Sequence, residues 1–298
     1  MLRFFLALGA LCLVGCASSP SPDVSDCGPP EGWQEMAKRA EGRFLIFGET
    51  HGTNEMPALV TSYICTVSQQ EGRTLVGLEY APEFDDVFAE ARSADDPRTV
   101  LLEGMARVWR QTDGRGSEAM LSMLINLMAF ENVYVVFFDA VDILAVMGLS
   151  PETATAESFR AASEALPPFV MQKARDKAMA EALIEAFTDQ YARAIVLVGG
   201  IHASKQRYEF LGDTDNMAML LPPDQTISLE DRHDAGEAWV QVGGKAGPRM
   251  SRGNRAGVPK DVAEPTLGFF DEETNGFDGF VFIGARTASP PALPRQEQ

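Results

Sequence analysis

Two of the three histidines in the 298-residue chain stand three residues after a glycine. They are His51, in Gly48-Glu49-Thr50-His51, and His202, in Gly199-Gly200-Ile201-His202, and each motif directly follows a short apolar run. Glycine permits a tight turn and a close approach of the backbone, so each turn can direct an imidazole into a crevice. Because histidine titrates near neutral pH, the pair is suited to general acid–base chemistry.

Two glutamates accompany these histidines. Glu49 lies inside the first motif, and Glu79 follows another apolar run. Either carboxylate could orient an imidazole, accept a proton or ligate a metal ion, so we predict a catalytic set of His51, Glu49, Glu79 and His202. His51, His202 and Glu79 also form a candidate ligand set for a divalent transition metal with open coordination positions. The alternative is that these side chains only cap strands and helix N-termini, but two matching motifs with a glutamate between them favour function.

The third histidine, His233, has a different setting. It lies inside the charged run Glu230-Asp231-Arg232-His233-Asp234. Charged residues are mostly found on protein surfaces. We therefore expect His233 to be exposed to solvent and outside the predicted site.

The elements that must position these residues are short apolar strands. Four such runs occupy residues 43–47, 74–78, 133–138 and 194–198, and they are followed by Gly48, Glu79, Asp139 and Gly199. Continuous apolar runs that alternate with helical patterns indicate an α/β fold with a mainly parallel central sheet and helices on both faces. In such sheets ligands bind beyond the carboxyl ends of the strands, which is where the two histidine motifs fall.

The remaining pattern predicts further elements. Met120, Met123, Leu124, Leu127 and Met128 recur at helical spacing and are expected to be core. Helices are predicted at 57–70, 97–108, 117–130 and 169–191, and later strands at 225–229, 238–242 and 277–283. Residues 243–265, rich in Gly, Pro, Lys and Arg, are expected to form a long loop or flap.

The start of the chain has the pattern of an exported lipoprotein. One arginine is followed by a short apolar run and by Leu13-Val14-Gly15-Cys16, so residues 1–15 are predicted to be a signal peptide and Cys16 to be lipidated. Residues 16–31 then form the lipidated cysteine and a flexible Ser/Pro-rich tether. The α/β domain is expected over 32–287, and a disordered tail over 288–298. Cys27 and Cys65 would lie in an oxidising compartment, where a disulfide between them is permitted but not required.

The net charge of the chain indicates which kinds of partner it can bind. The chain carries 25 Lys and Arg against 43 Asp and Glu, a net charge of −18. Such an acidic protein is poorly suited to nucleic acid or to docking on anionic lipid. We therefore expect a small-molecule ligand or substrate, no nucleic acid, and contact with the membrane only through the N-terminal lipid. The sequence does not predict an oligomeric state.

Taken together, five segments resemble the superfamily that joins erythromycin esterases, ChaN-like haem-binding lipoproteins and Tiki/TraB proteins. They are residues 48–55, Gly77-Leu78-Glu79, Arg175-Asp176 with Met179-Ala180, Gly199-Gly200-Ile201-His202, and 277–283. The resemblance spans about residues 43–285. Each motif is short, but their order and spacing together are fairly specific.

The branches of this superfamily imply different chemistry. Similarity to the esterases implies that His51 activates water to open a lactone without a metal, with Glu49, Glu79 and His202 in support. Similarity to Tiki proteins implies a metal-dependent protease. Similarity to ChaN implies an outer-membrane lipoprotein that binds haem and is linked to iron acquisition.

The details favour the ChaN branch. The lipidated start, the short Glu-Thr-His spacing and the Arg-Asp helix are ChaN-like, whereas His51-Gly52-Thr53 is closer to the esterases. We therefore expect a lipoprotein anchored to the outer membrane and facing the periplasm, which binds haem or a similar ligand at the paired motifs and serves iron or haem uptake. The alternative is a periplasmic hydrolase of an ester, lactone or amide, with or without a divalent metal. Tyr80, His233 and several methionines are haem-ligand candidates by chemistry only.

Overall fold

The computed structural model describes residues 27–152, 154–167, 169–242 and 245–293. The predicted signal peptide, the predicted lipidation site Cys16 and all of the tether before Cys27 lie outside these ranges. Among the helices in the described ranges, none is long and apolar enough to cross a membrane.

The centre of the fold is a seven-stranded, mainly parallel sheet, which confirms the predicted α/β class. Its strands lie in the order β3-β2-β4-β1-β5-β9-β8, and only β8, at one edge, runs antiparallel to its neighbour. A separate two-stranded hairpin is formed by β6 and β7. The strands are Phe44–Glu49 (β1), Arg73–Leu78 (β2), Val133–Phe137 (β3), Tyr191–Gly199 (β4), Thr226–Arg232 (β5), Gly236–Val242 (β6), Lys245–Ser251 (β7), Thr266–Thr274 (β8) and Phe277–Phe282 (β9).

Helices cover both faces of this sheet. They are Trp33–Arg39 (α1), Glu55–Ser68 (α2), Asp85–Ser93 (α3), Pro97–Gly104 (α4), Ala106–Trp109 (α5), Glu118–Leu127 (α6), Ile143–Val146 (α7), Ala156–Ala165 (α8), Val170–Ala186 (α9), Gly200–Ala203 (α10) and Met217–Leu220 (α11). The Ser117 hydroxyl caps α6 by accepting the backbone N–H of Met120. The apolar stripe of α6 is core, as predicted, although Met128 is only partly buried.

The central strands are apolar on both sides because both of their faces are covered. In β1, Leu45 and Phe47 pack into the core beneath α2 and α6, whereas Phe44 and Ile46 pack into a second core beneath α9 and α11. Burial on both faces explains why these strands appear in the sequence as continuous apolar runs rather than as alternating ones.

Two expectations about the second half of the chain were wrong, and one strand was missed. The helix predicted to reach residue 191 ends at Ala186, because Tyr191 already begins β4. Residues 243–265 are not simply a loop, since β7 pairs with β6 along its whole length. Pro248 conceals this strand in the sequence, but proline is tolerated on an edge strand such as β7. Strand β8 was not predicted.

The tail is also more ordered than expected. Ser289 is fully buried and donates its backbone N–H to Gly52, and Leu293 donates to Trp109. Residues 288–293 therefore pack against the fold, because their backbone groups pair with the loop after β1 and with the end of α5. Residues 294–298 lie outside the described ranges.

Cys27 and Cys65 form a disulfide, with their Cα atoms 5.6 Å apart. The bond ties the segment before α1 to the last turns of α2. It closes a long loop and therefore restricts the unfolded chain.

Candidate functional site

The predicted catalytic residues meet at one edge of the sheet, at the carboxyl ends of β1, β2 and β4. The register places Glu49 of β1 beside Gly199 of β4, and Leu78 of β2 beside Leu197 of β4. His51, Glu49, Glu79 and His202 all line one open cleft of about 690 Å³. The proximity that the sequence predicted for these four side chains is present in the structure.

His51 lies between two carboxylates. Its Nδ1 is 2.9 Å from Glu49 Oε1, and its Nε2 is 3.4 Å from Glu79 Oε2. Gly199 makes room for the ring, because a Cβ atom there would lie 3.0 Å from His51 Nε2. At Gly52, where φ is +81°, a Cβ atom would lie 2.1 Å from the Trp239 carbonyl oxygen of β6. A side chain at either position would collide with a neighbouring group, so both positions require glycine.

The charges in this arrangement favour protonated His51. Burial alone lowers the pKa of His51, but Glu79 and Glu49 outweigh burial and raise the pKa to about 10. Burial likewise favours neutral Glu79, but His51 and Arg175 hold the pKa of Glu79 well below its usual range. At neutral pH His51 is an imidazolium that donates to two carboxylates.

Glu79 belongs to a fully hydrogen-bonded group of side chains, which we call the Glu79 network: Glu79, Asp139, Arg175, Asp176 and His202. Arg175 Nη2 donates to Glu79 Oε1 at 2.5 Å and to Asp139 Oδ2 at 2.7 Å, and Arg175 Nε donates to Asp139 Oδ1 at 2.9 Å. The other oxygen of Glu79 accepts the backbone N–H of Gly199 at 2.8 Å. The planar guanidinium thus fixes carboxylates from two neighbouring strand ends.

His202 is held on the far side of the same network. Its Nδ1 is 2.6 Å from Asp176 Oδ1, and Asp176, which is fully buried, also accepts the backbone N–H of Met217. Arg175 Nη1 lies 3.1 Å from His202 Nε2. Because arginine can only donate, His202 Nε2 accepts this hydrogen bond and the ring proton is on Nδ1. Both ring nitrogens of His202 therefore have protein partners.

The opposite wall of the cleft contains a second group, which we call the Asp231 cluster: Thr50, Asp231, His233 and Arg286. Arg286 Nη2 donates to Asp231 Oδ2 and, at 3.0 Å, to the hydroxyl of Thr50. The backbone N–H of Thr50 also donates to Asp231, at 3.2 Å. Unlike the Glu79 network, this cluster contains buried atoms that have no hydrogen-bond partner among the described residues, namely Asp231 Oδ1 and Arg286 Nε.

The expected exposure of His233 was wrong. His233 is only 5 % exposed and lines the cleft. Its backbone N–H and C=O pair with those of Asn254, and its Nδ1 lies 2.7 Å from the carbonyl oxygen of Asp234. The segment around Asn254, more than 20 residues further along the chain, thus covers the charged run 230–234, which the sequence suggested to be exposed.

Several residues of the site were not predicted. Arg175 and Asp176 were noted only as part of a resembling motif, although an Arg-Asp pair on a helix beside two histidine motifs was a usable signal. Arg115, whose Nη1 lies 3.4 Å from Glu79 Oε1, comes from the loop between α5 and α6. Arg286 follows β9. Neither arginine has a local sequence pattern that marks it.

The predicted metal ligands do not fit a cation as they are arranged. The described residues contain no group of three or more His, Cys, Asp and Glu side chains that could hold one. Both nitrogens of His51 are engaged by carboxylates, and the Arg175 guanidinium would repel a cation at His202 Nε2. The ring nitrogens of His51 and His202 already have protein partners, so neither histidine is free to ligate a haem iron.

The other haem-ligand candidates differ from each other. Tyr80 does not line the cleft; its hydroxyl donates to the Arg115 carbonyl oxygen at 2.8 Å, and burial raises the pKa of Tyr80 well above its usual value. A phenolate ligand is therefore disfavoured. His233 Nε2 has no hydrogen-bond partner among the described residues, so His233 is the candidate whose chemistry is compatible with iron.

No family model and no curated protein sequence matches the chain. Among solved structures, a succinoglycan biosynthesis protein aligns with a TM-score of 0.59 at 13 % identity over 86 % of this chain and 91 % of its own. A mutant of erythromycin esterase EreC in its open conformation aligns with a TM-score of 0.57 at 12 % identity, covering 89 % of this chain and 95 % of its own. ChaN of Campylobacter jejuni, which binds cofacial haem, aligns with a TM-score of only 0.43 at 14 % identity, covering 73 % and 91 %. The chain thus has the fold of erythromycin esterase EreC, as the motif resemblance predicted.

Proposed function

We propose that the cleft hydrolyses a carboxylic ester, lactone or amide, and that His51 donates a proton to the leaving group. The observation that carries this proposal is the position of His51 between Glu49 and Glu79 at the cleft wall. Its side chain is 20 % exposed, so a protonated imidazole can reach a bound substrate. The resemblance to the esterases made His51 a base, whereas the two carboxylates favour the role of acid.

The geometry around His51 Nε2 supports this role. The 3.4 Å contact with Glu79 is longer than an ordinary N–H···O hydrogen bond of about 2.7–3.2 Å. The Nε2–H group is therefore only weakly hydrogen-bonded to Glu79 and stays available to a substrate oxygen or nitrogen. Glu49 holds the opposite side of the ring by a 2.9 Å hydrogen bond, which fixes the direction in which Nε2 points.

The test is hydrolysis of a panel of p-nitrophenyl esters, alkyl esters and γ-lactones by purified protein. His51→Asn is expected to lower kcat by about 10²–10⁴-fold, the range for loss of a general acid. The loss should be largest for alkyl esters, because an alkoxide needs a proton more than p-nitrophenolate does. Glu272→Gln changes an exposed carboxyl on β8 outside the cleft lining and is the control, which should leave kcat unchanged. Equal rates in His51→Asn and the unaltered protein would contradict the proposal.

Haem binding remains an untested prediction, and it has a direct measurement. Hemin is titrated into the unaltered protein and into His233→Ala, and the Soret band is followed. A hydrolase of the kind proposed should give no saturable shift. A shift that is lost in His233→Ala would instead favour the haem-binding alternative.

We further propose that the protein works outside the cytoplasm, lipid-anchored through Cys16 to the outer membrane and facing the periplasm. The signal-peptide pattern and lipobox motif support export, and the Cys27–Cys65 disulfide is compatible with an oxidising compartment. Mass spectrometry of the N-terminal peptide from bacterial membranes should find acylated Cys16, and Cys16→Ser should release the protein from the membrane fraction. An unmodified, uncleaved N-terminus would overturn this proposal.

A further inference from the structure

We propose that His233 is the proton acceptor that activates water in this cleft, opposite the proton donor His51. The inference rests on the proposed hydrolase function and adds the missing partner of His51. It assigns a base to a histidine that belongs to none of the motifs from which the site was predicted.

The position of His233 follows from the strand register. Gly48 of β1 lies beside Glu230 of β5, and His51 and His233 each come three positions later. Because the two strands are parallel neighbours, both histidines emerge at the same edge of the sheet, and both line the cleft. The cleft thus has one imidazole on each of two adjacent strand ends.

The orientation of the His233 ring is fixed. Nδ1 lies 2.7 Å from the Asp234 carbonyl oxygen, which can only accept, so Nδ1 carries a proton and donates it. Backbone hydrogen bonds in both directions with Asn254 hold the residue from the other side. Nε2 is left with a lone pair and has no hydrogen-bond partner among the described residues. A base needs such an atom, and the carbonyl has the same orienting role as the carboxylate behind a catalytic histidine.

The charged groups around His233 come from three segments. Arg286 faces it from the segment after β9, Asp231 lies on β5, and Asp234 follows it and pairs with Arg255. Burial lowers the pKa of His233 and Arg286 lowers it further, against the opposing effects of the Asp234 carbonyl oxygen, Asp231 and Asp234. His233 is therefore neutral at neutral pH while His51 is charged. Two titratable groups whose environments shift their pKa values in opposite directions are the mark of an acid and a base.

Two carboxylates lie at the ends of the neighbouring strands β1 and β5. Glu49 Oε2 and Asp231 Oδ1 are acceptors without a partner among the described residues, and both side chains line the cleft. The register extended by one position from Gly48 and Glu230 places Glu49 and Asp231 side by side on one face of the sheet. Both of these oxygens are too deeply buried to contact a water molecule in the cleft, so we place the attacking water at His233 Nε2.

The step balances for an ester. The water oxygen forms a bond to the acyl carbon while its proton passes to His233 Nε2. The acyl–oxygen bond then breaks, its electron pair stays on the alcohol oxygen, and that oxygen takes the proton from His51 Nε2. The products are a carboxylic acid and an alcohol. Proton exchange with solvent restores neutral His233 and protonated His51.

The test is the pH–rate profile for the ester or lactone of the panel that is hydrolysed fastest. The unaltered protein is expected to show a bell, with an acidic limb below pH 6.5 from His233 and an alkaline limb near pH 10 from His51. His233→Gln should lower kcat by about 100-fold and remove the acidic limb. In His233→Ala, added imidazole should restore activity, and it should restore none in His51→Asn, whose base is intact.

The outcomes separate the two proposals. If His51→Asn is inactive but His233→Gln keeps its rate and its acidic limb, His233 is not the base and the hydrolase proposal stands. If no ester or lactone is hydrolysed by the unaltered protein, both proposals fail. Should neither His233 variant fold, nitrogen-15 NMR of the unaltered protein decides: a proton on Nδ1 and a bare Nε2 at pH 7 support the assignment, and the reverse tautomer overturns it.

Discussion

The two walls of the cleft contain the same kinds of side chain but differ in how completely their buried polar atoms are hydrogen-bonded. In the Glu79 network each carboxylate and each histidine is paired, and no buried side-chain atom of its five members lacks a partner among the described residues. In the Asp231 cluster, and at neighbouring Glu49, buried oxygens and an arginine nitrogen remain unpaired. Buried polar groups are normally satisfied, so atoms left unpaired beside a cleft suggest contacts that a ligand or water completes. The polar atoms of one wall are fully paired, whereas those of the other wall are not.

The largest expected effect comes from disrupting the Glu79 network. Arg175→Ala leaves Glu79 and Asp139 without the guanidinium that joins them, and should lower the free energy of unfolding by about 3–5 kcal/mol. Arg98→Ala is the matched control, because it breaks a surface ion pair with Glu118 and should cost less than about 1 kcal/mol. Urea denaturation measures both changes. Similar losses in the two variants would show that the Glu79 network is not a preorganised unit.

A smaller effect is expected from displacing one ring without changing any charge. In Gly199→Ala the new methyl group would lie 3.0 Å from His51 Nε2 and 3.5 Å from Glu79 Oε2, so the imidazole must move. We expect kcat to fall by about 10-fold, with a loss of about 1 kcal/mol in stability, since small misplacements of a catalytic group are costly. Steady-state kinetics and thermal melting test this, with Gly200→Ala as the control, because its added methyl group would approach no closer than 3.6 Å, to the Glu49 carbonyl oxygen. An unchanged kcat would mean that the position of His51 is unimportant.

The two walls are also expected to show opposite pH dependences of stability. The folded protein keeps a proton on His51 up to about pH 10, so the stability from this proton is full below pH 6.5 and is lost as pH rises toward 10. The pKa of His233 is lowered, so its contribution is lost in the other direction, as pH falls below 6.5. Urea midpoints measured from pH 5 to 10 should therefore decline less on the alkaline side in His51→Gln and less on the acidic side in His233→Gln. If the urea midpoints of both variants and of the unaltered protein depend on pH in the same way, the two histidines do not contribute opposite pH dependences to stability.

The sequence was sufficient for every strand of the central sheet except β8, and for part of one wall of the cleft. Apolar runs identified the central strands, and residues read directly after them, Glu49, Glu79 and His202, were the correct strand-end groups. Local patterns of this kind work where position along one strand determines position in the site. The parallel sheet then brings consecutive strand ends together without further information.

The other wall depended on contacts that no local pattern records. His233 is buried because Asn254 pairs with its backbone, and Arg286 reaches Asp231 across 55 positions of sequence. A charged run therefore looked like a surface. Likewise, Pro248 in β7 and the prolines after Ala288 suggested a loop and a disordered tail, because their pairing partners lie elsewhere in the chain.

The most direct test of the account is nitrogen-15 NMR titration of the imidazoles, which is practical because the chain has only three histidines. At pH 7 the account predicts His51 protonated on both nitrogens and His233 neutral with its proton on Nδ1. Between pH 5 and 10.5, His51 should titrate near pH 10 and His233 below 6.5. If His51 and His233 instead titrate together near the ordinary value of about 6.5, the cleft does not hold an acid and a base, and the account is contradicted.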